Sequence, residues 1–199
     1  MACAAFAQTR LRKHRGDYSG CTRRLDGALN LITDVPGETA RAVRGQLHLR
    51  QATVAALATR AADADTHLAE ARHIVASGVP SRPYIGIDCS GFNVDSHYVT
   101  IPFELLDGTT AVARVSTVHI PADTASHTVG QYWIKVARGW VLHGDRAKAL
   151  EALNKARAVA PQQTRYHHSV RATVQAIAGA EHRATASLTG FARWAGSTL

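Results

Sequence analysis

The chain is 199 residues long, enough for one large domain or two small ones, and its 46% apolar and 19% charged residues exclude disorder throughout. Aromatic residues are scarce at 6% while alanine abounds. Closely packed helices are therefore expected: alanine costs no side-chain entropy in a helix and lets backbones approach, whereas a sheet would draw on more Val, Ile, Tyr and Phe. The formal net charge is +8, but its only dense run is Arg10, Arg12, Lys13, His14 and Arg15, with Arg23 and Arg24 shortly after. Elsewhere single arginines alternate with alanine, as on a solvated helix face, although the positive field would still favour an acidic partner.

Apolar residues recur at helical spacing through most of the chain. The pattern predicts a helix over 2–13, stopped by Gly16-Asp17, and a second over 18–33, ending before Pro36-Gly37. A long helix follows over 38–61, and another over 64–76 is closed by Gly78 and Pro80. Residues 77–91 place Gly, Pro, Ser and Asp at close intervals and read as irregular. A helix over 92–106 contains Pro102, which should kink or restart it, and Gly108 breaks it. In 110–119, Ala111, Val112, Val115, Val118 and then Ile120 fit a short helix or a strand; helical neighbours favour the helix. A loop is expected over 121–128. The clearest pair comes next, 130–143 and 147–160, ended by Pro161. Two more helices are expected over 168–180 and 182–194.

Little in the sequence points to reaction chemistry. Cys3, Cys21 and Cys89 are too few and too scattered for a disulfide framework and form no C-x-x-C pair, so they read as small hydrophobes in a reducing compartment. No two of the eleven histidines lie three or four apart, and His167 and His168, adjacent on a helix, point in different directions. No metal ligand set and no cofactor is expected. Phosphate loops and a nucleophile elbow are missing. Asp88, Cys89 and Ser90 could suggest a nucleophile, but in a Gly/Pro-rich loop they read as the cap of a following helix. Glu104 and Asp107 read as a solvated pair. No catalytic residue is assigned. The apolar start of the chain lacks a preceding basic region, so no signal peptide is expected. No segment approaches the roughly 18 apolar residues of a membrane span, and the expected location is the cytoplasm.

The segment 133–161 carries a helix-pair code. Trp133 sits where a first helix wedges against its neighbour, with Trp140 seven residues on along the same face. Gly144 allows the tight turn. Ala149 and Ala156 are small where two helices cross closely, Leu153 fills the core between them, and Pro161 stops the second helix. This segment resembles a tetratricopeptide repeat. Weaker copies follow the same logic: Gly16-Asp17-Tyr18 with Cys21 and Ala28; Ala64, Leu68 and Ala71; and Gly108 followed by Ala113. They are spaced more widely than the standard ~34 residues, as in a divergent array with long loops. The expected fold is all-α, a tetratricopeptide-like right-handed solenoid of about four helix pairs forming one domain over 1–199.

Three stretches resemble the C-terminal tetratricopeptide-like region of xenobiotic-response-element (Cro/repressor-like) transcriptional regulators of high-GC bacteria. The first is Gly45-Gln-Leu-His-Leu-Arg50 leading to His67-Leu-Ala-Glu-Ala-Arg72. The second is Phe92-Asn93-Val94-Asp-Ser-His97 continuing to Phe103-Glu104-Leu-Leu-Asp107-Gly108. The third is Tyr132-Trp133-Ile-Lys-Val-Ala137-Arg138, followed by Pro161-Gln-Gln-Thr-Arg165-Tyr-His-His168-Ser-Val170-Arg171. Together they cover almost the whole chain. Two departures stand out. The helix-turn-helix domain usual in that family has no room here, which implies a fragment or a stand-alone relative. Cys89-Ser-Gly-Phe-Asn93 also replaces the family's more frequent Phe-Gly-Pro-Thr-Asn.

Asn93 and His97 are four apart and share a helix face, as do Lys135 and Arg138, three apart. In tetratricopeptide grooves such faces line the concave surface and hold extended peptides, so by that analogy these four are the binding candidates. A rival role for Asn93 and His97 is to hydrogen-bond the loop at 81–90. Trp133 and Trp140 read as core. The expected function is a sensing or interaction module of a transcriptional regulator that takes a peptide, a small signal molecule or a partner protein. DNA is reached only through a missing or separate helix-turn-helix domain, no membrane is involved, and open repeat edges are compatible with a homodimer. An adaptor without a role in transcription is the first alternative. The second is an enzyme binding a metabolite in a helical cavity near Asp88, Asn93 and His97.

Overall fold

Helix-favouring, alanine-rich segments are separated by short polar turns. The computed structural model describes residues 2–78, 88–179 and 186–197, and every regular element among them is an α-helix. In order these are α1 (Ala2–His14), α2 (Tyr18–Asn30), α3 (Glu38–Leu57), α4 (Ala61–Ala76), α5 (Gly91–Glu104), α6 (Gly108–Val115), α7 (Ser126–His143), α8 (Arg146–Val159), α9 (Pro161–Tyr166), α10 (His168–Ala178) and α11 (Ala186–Ala195). The expected all-helical class holds. The irregular stretch expected at 77–91 falls mostly outside the described residues, as does the expected start of the last helix at 182.

The chain divides into two compact units, Met1–Leu105 and Leu106–Leu199. In the first, α3 is the central element, packed by α1, α2, α4 and α5. One side of it, with Val43, Leu47 and Val54, closes over Cys21, Leu25 and Ala28 of α2. The other, with Leu49, Ala52, Ala55 and Ala56, meets Ala64, Leu68 and Ala71 of α4 and Val94 and Ile101 of α5. Small residues face small residues along the α3–α4 seam, so the helices approach closely. At ~25 cal/mol per Å² of apolar surface, burial on this scale drives the packing without large side chains. Arg44 of α3 donates to the carbonyls of Ile32 and Thr33, the last turn after α2, where unpaired carbonyls and the helix dipole favour a cation.

In the second unit α7 and α8 form the principal hairpin, α6 and α10 pack on α7, and α11 packs on α9 and α10. Ala149, Leu153 and Ala156 are fully buried, as the repeat code requires. Tyr132 is the buried ring of α7, whereas Trp133 and Trp140 are only half-buried, with Lys155 and Lys148 stacked 4.7 and 4.5 Å from their ring centres. The expectation that both tryptophans are core is corrected accordingly: each ring is roofed by a lysine ammonium.

Other differences have local causes. Helix α7 starts at Ser126, inside the expected loop and four residues before the expected start, and Gly130 within it is a close contact: a Cβ there would lie 2.5 Å from Ala160 Cβ. Pro161 both ends α8 and occupies the first position of α9, where its missing N–H costs nothing, so the short α9 was unforeseen. Pro102 stays within α5, which ends two residues later at Glu104. Ala113 is exposed and is not the small contact position of α6; Gly108 takes that role, since a Cβ on it would come within 2.6 Å of the His143 backbone nitrogen. His167 is the extended N-cap of α10, so its ring stacks on His168 at 4.7 Å instead of diverging.

One local conformation recurs. At residues 16, 59, 106 and 144 the backbone is left-handed (φ 73°, 58°, 64° and 98°), and the next residue caps the following helix. Asp17, Asp107 and Asp145 do so through a carboxylate that accepts the N–H of Gly20, Thr110 and Lys148, each at 2.9 Å.

Candidate functional site

The four residues expected to bind fall into two pairs, Asn93 and His97 on α5 of the first unit, and Lys135 and Arg138 on α7 of the second. All four are half-buried.

The start of α5 is fixed by the residues before it. Asp88 Oδ1 accepts the N–H of Ser90 at 2.9 Å, and Ser90 Oγ accepts the N–H of Asn93 at 3.1 Å, the expected capping role. Cys89 is buried against Gly45 of α3. Burial, and then the neighbouring Asp88 carboxylate, push its thiol up to about 11, so it is protonated at neutral pH and a poor nucleophile. Asp88, Cys89 and Ser90 thus each perform a structural task.

Asn93 is the hub of this end of α5. Its Nδ2 donates to Gln46 Oε1 of α3 at 3.1 Å and to the Asp88 carbonyl at 2.5 Å. Both amide hydrogens are therefore engaged inside the fold, and a ligand would be met by Oδ1. The loop-holding role expected for Asn93 is present at Asp88; residues 81–87 lie outside the described ones. His97 Nδ1 lies 2.9 Å from the carbonyl of Asn93. A carbonyl only accepts, so that nitrogen carries a proton. Asp95, between them, is half-buried; its carboxyl is raised above the ordinary value by burial, against the pull of Arg72, which stacks on Tyr98.

On α7, Lys135 and Arg138 lie on the helix that carries the two lysine-roofed tryptophans, Trp133 and Trp140. Nearby, Gln131 joins Gln163 of α9 at 3.1 Å and meets His167 at 3.4 Å, a polar cluster that ties α7 to the start of α10. Sequence spacing gave no sign of it, because the three residues come from three elements.

A second constellation escaped the sequence for the same reason. His48 of α3 and His67 of α4 meet through their Nδ1 atoms at 3.0 Å, with ring centres 5.3 Å apart. The imidazoles are 19 residues apart, and only the register of the α3–α4 seam brings them together. Burial lowers the pKa of both, and for His48 the neighbouring His67 lowers it further. Among the described residues no three His, Cys, Asp or Glu side chains gather as a metal set, and no helix is long and apolar enough to cross a membrane.

No family model, curated protein or solved structure matches the chain, so the functional reading rests on its own residues and geometry.

Proposed function

We propose that this chain is a tetratricopeptide-like recognition module, the sensing half of a transcriptional regulator, that holds a peptide or small signal on its concave face. The observation that carries the repeat reading is the turn at Gly16-Asp17, Thr59-Arg60, Leu106-Asp107 and Gly144-Asp145. A left-handed residue followed by a capping residue, repeated four times along an all-helical chain, is what successive helix pairs require. The intervals exceed the usual ~34 residues, as the wide spacing of the weak sequence copies also suggests. In such an array α1, α3, α5 and α7 are the first helices of their pairs, and each faces the inner side of its own unit. Asn93 and His97 on α5 then belong to the inner face of the first unit, and Lys135 and Arg138 on α7 to that of the second. The link to transcription rests on the resemblance of the three stretches around Gly45, Asn93 and Trp133.

Native mass spectrometry of the chain, recovered gently from lysate of its own host, tests this. A stoichiometric extra mass of peptide or metabolite size, lost in the Lys135→Ala/Arg138→Ala variant, is the expected result. A bare chain, or one carrying only another protein, would remove the bound signal and leave the adaptor reading.

A further inference from the structure

We propose that His48 and His67 form a proton-operated clasp between α3 and α4, closed while at most one proton is shared at their contact and loosened when both rings are charged. The geometry sets the rule. With Nδ1 atoms 3.0 Å apart, one ring must donate and the other accept. A neutral pair satisfies this, and so does a pair with one charged ring. Two imidazolium rings do not: two N–H groups and two positive charges then face each other in a half-buried seam. The seam has little give, since Ala52, Ala55 and Ala56 of α3 pack directly on Ala64, Leu68 and Ala71 of α4.

The charged groups acting most strongly on the pair come from α2, α3, α4 and the residue capping α4. Asp26 of α2 and Asp63 of α4 favour a charge on His67, Glu70 of α4 favours one on either ring, and Arg44 of α3 and the capping Arg60 oppose it. None from α1 or α5 is among them. Three carboxylates do not outweigh burial, and both rings remain harder to protonate than in an unfolded chain. The unfolded state then binds more protons as pH falls below the ordinary histidine value of about 6.5. The contribution of the pair is complete above that value and is lost progressively toward the folded midpoints. Helix α3 also holds Asn93 through Gln46, so loosening α3 reaches the start of α5. The clasp does not depend on what the module binds.

The test is a histidine Cε1 NMR titration of the full chain between pH 8 and 5, combined with amide exchange expressed as protection factors. His67→Gln and His48→Gln assign the resonances. The expected result is two coupled midpoints below about 6.5, with that of His48 moving up in His67→Gln. Protection of α3 and α4 should fall through the same window, by about tenfold for each unit of depression, and stay flat in the double variant. Ordinary, independent midpoints in the unaltered chain would overturn the clasp, as would protection that stays flat in it.

Discussion

Gly45 and Gly27 both lie inside helices of the first unit, and alanine at these positions should act in opposite directions. A Cβ at Gly45 would stand 2.2 Å from Cys89 Sγ and 3.3 Å from Ile74 Cγ2, and Cys89 is pinned by the capped start of α5. Overpacking of this kind costs about 1–3 kcal/mol, against roughly 1 kcal/mol gained in helix propensity. Gly45→Ala should therefore destabilise by up to about 2 kcal/mol in denaturant unfolding, and Cys89→Ala should relieve part of that loss. Gly27 has no atom within 4 Å of its would-be Cβ, and Gly27→Ala should stabilise by about 0.5–1 kcal/mol. Shifts of the same sign would disprove the close approach at Gly45. The burial of Cys21 and Cys89 was legible in their residue type and scatter, whereas Cys3, read the same way, is exposed on α1. The contact of Cys89 with a mid-helix glycine 44 positions earlier was not, because it depends on where α5 lands on α3. The meeting of His48 and His67 is hidden for the same reason: one register shift would separate the rings.

Helices were legible because their apolar spacing and caps are local. Segment 133–161 went furthest, since Gly144, Ala149, Leu153 and Ala156 each answer a steric need that residue type alone expresses. What failed were glycines and prolines with two meanings. Gly108 reads as a breaker and is a contact, and Pro161 reads as a stop and is also a start. The third turn was placed at Gly108, whereas the left-handed residue is Leu106, which is 78% exposed and so gains nothing from burial there. A side chain in that conformation costs roughly 1–2 kcal/mol, part of which glycine gives back as unfolded-state entropy. Leu106→Gly should accordingly raise stability by about 0.5 kcal/mol or more. Thermal and denaturant unfolding would show it, and a loss would mean that Leu106 has a packing role.

At the scale of the molecule the net charge of +8 is spread thinly. The ion pairs among the described residues are exposed or nearly so and worth little individually. Within the one dense basic run, Arg12 binds Asp17 at 2.6 Å and Arg24 binds Gln8, so part of that run is already engaged. The N–H of Gly20, then Arg12, holds the Asp17 carboxyl below its ordinary value. Retention on duplex DNA at about 50 mM salt should therefore be weak, insensitive to sequence and gone by about 200 mM. Sequence-dependent binding that survives at the higher salt would place a DNA reader within this chain.

The burial of α3 has a consequence for which changes the chain can tolerate. From Ala40 to Leu57 no residue of α3 is exposed, because four helices cover it. Helix α8, by contrast, hides a stripe at Ala149, Leu150, Ala152, Leu153 and Ala156 and shows the rest to water, apart from the half-buried Arg157. A saturation scan scored for abundance should record α3 as an unbroken intolerant block, Gln46 and Gln51 included, and α8 as a band repeating every three to four positions. Sequence drift should therefore follow the helical period along α8 and slow uniformly along α3.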